Sequence, residues 1–261
     1  MNGDVPGGPD AESRIAAIRP STHGPSFSRT SSMSQSAGYR HQRRRVASVV
    51  LASIPLVALG AIGSAFAQAD GTHAKLLAAV EANAESEVRR LLSLGMDVNT
   101  ADPDGNTLLM LAARRANREV ALLLIGAGAR LVVRNRFGET PLLYAALGGS
   151  EGIVRELLAR GVDAQPAVAA WAPMHYAAMR GHVGIMALLA ERGASVDFAS
   201  ENGTTPLMLA SGEGRIDAVS FLLRRGADAA RTNQAGRSAA DFARVEDRQR
   251  ILDLLVKAGG G

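Results

Sequence analysis

Cysteine is absent from this 261-residue chain, and aromatic residues make up only 4% of it. Without cysteine the chain cannot form disulfides, thiolate nucleophiles, cysteine-linked lipid anchors, or zinc and iron–sulfur centres with thiolate ligands. Lysine is scarce as well, because 27 of the 29 basic residues are Arg, a usage typical of GC-rich bacterial genomes. The chain also contains no HExxH motif and no phosphate-binding glycine loop, so neither of these motifs predicts an enzyme.

The excess positive charge is confined to the N-terminal part of the chain. Residues 1–67 carry seven Arg and three acidic residues, a net charge of +4, whereas residues 68–261 carry 22 basic and 22 acidic residues. Binding to a nucleic-acid backbone requires a strongly basic surface. The electroneutral remainder therefore excludes a general polyanion-binding function, and we expect no nucleic-acid partner.

The N-terminal segment has the pattern of a secretory signal. Residues 1–39 are rich in Ser, Gly, Pro and Ala without an apolar period, which predicts a disordered leader. Residues 40–67 contain the basic run His41–Arg45 and then an uncharged apolar run. The small residues Ala65 and Ala67 precede Gln68 as at a signal-peptidase site, so the sequence predicts export with cleavage after Ala67.

Two alternatives for this segment stay open. If translation begins at Met33 rather than Met1, residues 1–32 are not translated and the basic region has an ordinary length. If residues 40–67 are not cleaved, they form a signal anchor, since about 20 apolar residues span a bilayer. The cleaved signal and the anchor both place residues 68–261 in the periplasm, free in the first case and tethered to the inner membrane in the second, because the arginines stay cytoplasmic.

A repeat of about 33 residues dominates the remainder of the chain. A glycine follows an apolar run at six positions with spacings of 33, 33, 32, 33 and 33: Gly95, Gly128, Gly161, Gly193, Gly226 and Gly259. A second series with the same period marks predicted helix starts: Thr107, Thr140, Ala172, Thr205 and Ser238. Two independent features in one period indicate tandem units, each made of a pair of helices.

The segments ETPLLYAALGG, WAPMHYAAMRGH and TTPLMLASGEG resemble the ankyrin repeat family. The resemblance covers residues 70–261 and implies an all-α ankyrin repeat solenoid of about six helix-turn-helix units with short β-hairpin tips. Threonine is expected to cap each first helix, with proline at its first position. Leu143 and Met208 depart from the histidine of the family's TPLH turn, and Leu108 from its proline, which is expected to weaken hydrogen bonding between units.

Three histidines follow the leader: His73, His175 and His182. His175 matches the TPLH turn and His182 the GH pair that follows, and the resemblance implies that both bridge backbone groups of adjacent units. A metal site ordinarily needs a third ligand, and the sequence offers none. We therefore expect no metal, no cofactor and no catalytic residue, and an envelope enzyme using these two histidines is the less favoured alternative.

The resemblance further implies a concave binding surface made of the hairpin tips and the exposed ends of the first helices. In the middle units these positions combine arginines with large apolar side chains, as interface centres do. The predicted contact residues are Arg114, Arg115, Arg136, Phe137, Leu147, Trp171, Met179 and Arg180. The alternative for Trp171 is that it folds back over the loop Gln165-Pro166-Ala167, where the repeat is one residue short.

The predicted function is protein–protein interaction in the periplasm, by a scaffold, an inhibitor or an immunity-type binder. Its expected partner is a protein surface that combines acidic and apolar groups. The alternative is a membrane-anchored envelope adaptor, in which the leader supplies the only membrane contact.

Overall fold

The computed structural model of the chain describes residues 71–165, 171–244 and 248–259. Within these ranges the backbone forms twelve helices, which we number α1–α12 and group into six units of two. Units 1–3 comprise α1 (71–81), α2 (Glu85–Ser93), α3 (Leu108–Arg114), α4 (Arg118–Gly126), α5 (Pro141–Gly148) and α6 (Glu151–Ala159). Units 4–6 comprise α7 (Pro173–Arg180), α8 (Val183–Glu191), α9 (Pro206–Gly212), α10 (Ile216–Arg224), α11 (Ala239–Arg244) and α12 (Gln249–Gly259). The repeat period therefore becomes a stack of helix pairs, as predicted.

Local sequence signals start the first helices as expected. The Thr107 hydroxyl accepts a hydrogen bond of 3.4 Å from the Met110 amide, and Thr140 and Thr205 cap α5 and α9 in the same way. Proline occupies the first position of α5, α7 and α9, where no amide partner is lost. These caps satisfy amides that the first turn of a helix would otherwise leave unpaired.

The helices form two layers. The first helices α3, α5, α7, α9 and α11 pack on one another in order, and the second helices α2, α4, α6, α8, α10 and α12 do the same. Ala112, Ala145 and Ala177 are fully buried between neighbouring first helices. At Gly148 a β-carbon would overlap the carbonyl oxygen of Ala113, so only glycine permits this approach of α5 to α3.

The hairpin tips are tight turns rather than strands. The described residues contain no strand and two isolated antiparallel bridges, Ala101 with Thr107 and Thr232 with Ser238. The backbone of Arg136 donates to the carbonyl of Asp104 at 3.1 Å, so the tips of units 2 and 3 are joined directly. The first five repeat glycines end their helices with φ between +82° and +88°, whereas the sixth, Gly259, is the last residue of α12.

Side chains at the starts of second helices form a ladder of hydrogen bonds to the unit before. Asn117 donates to the carbonyl of Val80 at 2.9 Å, and Arg215 donates to that of Met179 at 3.1 Å. Arg248 repeats the contact in unit 6, on the carbonyl of a buried serine at 2.9 Å. These contacts satisfy carbonyl groups at the C-terminal ends of first helices, which have no partner within the helix.

The predictions for the leader, residues 1–39 and 40–67 with the cleavage site at Ala65, Ala67 and Gln68, lie outside the described residues. Of the helices that the structure describes, none combines the length and the apolar character needed to cross a bilayer.

Candidate functional site

Two arginines end the first helix of unit 2 and point to solvent. The side chains of Arg114 and Arg115 are 42% and 54% exposed. Both approach the same carboxylate: Arg114 Nη2 lies 3.7 Å from Glu81 Oε1, and Arg115 Nη2 lies 4.0 Å from Glu81 Oε2. These distances exceed those of hydrogen bonds, and such exposed pairs contribute little to stability. The two guanidinium groups therefore give this end of α3 an excess of positive charge.

A cation and an aromatic ring occupy the adjacent tip of unit 3. The guanidinium of Arg136 lies 4.7 Å from the centroid of the Phe137 ring and makes an ion pair of 2.9 Å with Asp104. The Phe137 side chain is 44% exposed, although its backbone amide is held by the Asn135 side chain at 2.9 Å. The tip thus presents an apolar ring and a cation on a well-anchored turn.

A buried polar network ties this tip to the helices. The side-chain nitrogen Nδ2 of Asn135 donates to Oδ1 of Asn106 at 2.7 Å and to Oε2 of Glu139 at 2.8 Å. The Tyr144 hydroxyl lies 2.8 Å from the same Glu139 oxygen. Burial, the hydrogen bond to Glu139 and its negative charge together raise the pKa of Tyr144. Sequence reasoning missed this network, because its members are 4, 5 and 29 residues apart and follow no repeat period.

The helix ends of units 3 and 4 carry the remaining predicted contacts. Leu147 at the end of α5 and Arg180 at the end of α7 are both half-buried. The placement of Met179 on an exposed surface is wrong, because only 4% of it is accessible. A flexible thioether can fill a gap in the helix stack, whereas an arginine at the equivalent position of unit 2 must keep its charge in water.

Trp171 packs partly against its own chain and is partly exposed to solvent. It is half-buried, its ring stacks on His175 at a centroid distance of 6.0 Å, and it meets Tyr176 edge-on at 5.3 Å. Its indole nitrogen is buried and has no hydrogen-bond acceptor in the part of the chain that the structure describes. The alternative prediction was that this ring folds back over the loop Gln165-Pro166-Ala167. Pro166 and Ala167 lie outside the described residues.

The histidines bridge neighbouring units, as the resemblance implied. His175 is fully buried. Its Nδ1 accepts from the Ala172 amide at 3.1 Å, which leaves Nε2 to donate to the carbonyl of Thr204 in unit 5 at 3.0 Å. Burial lowers the pKa of His175 to about 4 and also lowers the pKa of His182, whose ring hydrogen-bonds the backbone of Leu147. With both nitrogens engaged and no solvent access, His175 holds units together and cannot take a proton from a substrate.

A family model described as ankyrin repeats in three copies matches residues 64–135, 116–200 and 165–233. The chain belongs to the ankyrin repeat family. The human ASB11 ankyrin repeat domain, a crystal structure, superposes with a TM-score of 0.66 at 27% sequence identity, over 71% of this chain and 84% of that domain. Ankyrin repeats are protein–protein interaction modules, and the fold is typically non-catalytic.

Known ankyrin repeat proteins resemble the chain to different extents. YahD of Escherichia coli (strain K12) is 29% identical over 200 residues, which cover 70% of this chain and 94% of YahD. The nuclear factor NF-kappa-B p105 subunit of Gallus gallus is 32% identical over 147 residues, or 54% of this chain. The chain spans 15% of the length of p105, 12% of protein glp-1 of Caenorhabditis elegans and 14% of human rabankyrin-5. The similarity to these larger proteins is therefore limited to a small part of their length.

The ankyrin stack brings some of the predicted contact residues together and separates others. Units 2 and 3 hold a group that we call the Arg/Phe patch: Arg114, Arg115, Arg136, Phe137 and Leu147. The ends of α3 and α5 meet, since a β-carbon at Gly148 would lie 2.8 Å from the Arg114 carbonyl oxygen. The tips of the same two units are joined through Arg136 and Asp104. The unit 4 residues differ, because Met179 is buried and Trp171 and Arg180 are half-buried. Within the described residues no group of three potential metal ligands lies together.

Proposed function

We propose that this ankyrin repeat protein is exported to the periplasm and binds another protein there through the Arg/Phe patch, without covalent chemistry. The observation that carries the proposal is the exposed ring of Phe137 on an anchored turn, with Arg136 stacked over it. Aromatic residues and arginine are enriched at the centres of protein interfaces, and arginine is enriched among the residues that dominate binding energy.

The size of the patch indicates that it forms the centre of a larger contact. A stable interface buries about 800 Å² on each partner, which five side chains cannot supply. The tip of unit 2, whose Asp104 carbonyl accepts a hydrogen bond from the Arg136 amide, extends the same surface along the stack. We therefore expect the Arg/Phe patch to supply most of the binding energy and the other tips to supply the rim.

The test of binding uses a photo-crosslinking amino acid in the living cell. Placed at Phe137, the probe is expected to form an adduct with a defined protein. The matched control places it at Arg155, which is exposed on α6 in the layer of second helices. Adducts of equal yield at both positions, or none at Phe137, would refute binding through the patch.

Export is supported by the basic run His41–Arg45, the apolar run after it and the small residues Ala65 and Ala67. Cell fractionation with intact-mass measurement tests it, and a periplasmic species that begins at Gln68 is the expected result. Ala67→Arg is the control, because a large charged residue at the cleavage position blocks processing. A soluble cytoplasmic product that retains residues 40–67 would contradict export.

The membrane-anchored adaptor is the alternative outcome of the same experiment. In that case the wild-type mass includes residues 40–67 and the protein sediments with membranes. The mass of an unprocessed precursor also distinguishes a start at Met1 from a start at Met33.

A further inference from the structure

Resting on the proposed function, we infer that the partner presents an acidic segment of polypeptide with an apolar side chain beside its carboxylates. Its carboxylates lie against Arg114, Arg115 and Arg136, and its apolar side chain lies against Phe137 and Leu147. The segment crosses units 2 and 3 of the stack.

The arginines of unit 2 have spare hydrogen-bonding capacity. Each guanidinium carries five N–H donors. Among the described residues, the one carboxylate that pairs with Arg114 and Arg115 is that of Glu81, at 3.7 Å and 4.0 Å. Two cations against one anion leave an excess positive charge at the end of α3. A partner carboxylate can form the bidentate hydrogen bonds that Arg favours, which Glu81 does not form at these distances.

The arginine of unit 3 adds a second anchoring point. The ion pair of Arg136 with Asp104 uses the Nη2 nitrogen, and its side chain remains 59% exposed. The Phe137 ring lies directly beside this guanidinium. A carboxylate and an apolar group next to each other on the partner would therefore match a cation and a ring next to each other here.

The distribution of charge favours an acidic polypeptide over other ligands. Glu81, Asp104 and Glu139 are interspersed among the arginines, and residues 68–261 as a whole are neutral, which opposes a phosphate backbone. Farther along the same surface, unit 5 carries Glu201 and Glu213. An acidic segment is therefore attracted to units 2 and 3 and repelled by unit 5, which fixes its place on the stack.

Synthetic peptides of equal length test the inference on the mature protein purified from cells that express the full chain. They share the same Leu and Phe residues and differ in carrying Glu, Gln or Lys between them, and single-stranded DNA is a fourth probe. Fluorescence anisotropy at low and at physiological salt should show the Glu peptide binding about tenfold more tightly than the Gln peptide, with the difference reduced by salt. Equal binding of the Glu and Gln peptides, tighter binding of the Lys peptide or DNA, or no binding of any peptide overturns the inference.

Variants locate the effect. Arg115→Glu combined with Arg136→Glu should abolish the preference for the Glu peptide and create one for the Lys peptide. The matched control is Arg155→Glu combined with Arg224→Glu, at exposed residues of the second helices α6 and α10. This control should leave the preference for the Glu peptide unchanged. Circular dichroism verifies that both double variants remain helical, and Arg115→Gln with Arg136→Gln provides a milder variant if the reversal disturbs folding. A preference retained in both patch variants overturns the inference.

The cellular crosslink at Phe137 separates this inference from the proposed function. If a partner is still captured with Arg115→Glu and Arg136→Glu in place, the protein is a binding module and its partner is not acidic. If no partner is captured by the wild type, the proposed function fails.

Discussion

Acidification should destabilise the ankyrin stack through one buried histidine. His175 is neutral in the folded protein, where burial lowers its pKa from the ordinary 6.5 to about 4. Between these values the unfolded chain binds a proton that the folded chain does not. The stabilisation is therefore fully present above about pH 6.5 and is lost as the pH falls towards 4. At about pH 5 the loss is about 2 kcal/mol, and below pH 4 it approaches about 3 kcal/mol.

The assay is urea unfolding, followed by circular dichroism, of the wild type and of His175→Met. Unit 5 supplies the rationale for this variant, because Met208 occupies the equivalent position and its sulfur accepts from the Thr205 amide at 3.5 Å. The variant should be about 1 kcal/mol less stable than the wild type at neutral pH, since it loses a hydrogen bond to unit 5. His182 is present in both proteins, so the difference between their pH profiles reports on His175.

The wild-type free energy of unfolding should fall to that of the variant near about pH 6 and lie about 1 kcal/mol below it at about pH 5, because only the wild type carries the buried imidazole. If they stay parallel over that range, the reasoning about His175 is refuted.

Three further substitutions test the packing by the same urea assay. Ala116→Gly should stabilise the protein by about 1 kcal/mol, because Ala116 has a φ of +56° at a position where three other units have glycine; no gain would show that the turn is unstrained. Val132→Asn should add about 1 kcal/mol, because Val132 is 79% exposed where Asn99 of unit 2 accepts a 2.8 Å hydrogen bond from the next unit; an unchanged midpoint contradicts this. Gly148→Ala should cost about 1–3 kcal/mol through contact with the Ala113 carbonyl, and wild-type stability would show that α5 can shift away.

Features with the repeat period were predictable from the sequence. The caps at Thr107 and Thr140, the buried alanines between first helices and the glycine turns depend on contacts within one unit or between identical positions of neighbouring units, so the 33-residue spacing reveals them. The bridging role of His175 followed from its match to the family's turn. Its replacement by Met208 in unit 5 leaves one weaker contact, in agreement with the expected loss of hydrogen bonding there.

Features that depend on the individual neighbour of a residue were not predictable. Met179 was expected to be exposed because the ankyrin resemblance places it at the exposed end of a first helix, but the thioether fits into the stack. The network of Asn135, Glu139 and Tyr144 depends on three side chains that occur together only in unit 3. Neither result follows from a period, because a period describes what units share and these contacts arise where units differ.

The ladder of hydrogen bonds from second helices to the preceding unit has a consequence for how the molecule opens. Each contact, such as that of Asn117 with Val80 or Arg215 with Met179, reaches one unit and no farther. Terminal units can therefore unfold while the central units stay folded. Protection against amide hydrogen exchange should accordingly decline towards α12. A partner that spans units 2 and 3 acts as a clamp between neighbours. It slows exchange in those two units together and leaves α12 exchanging at its original rate.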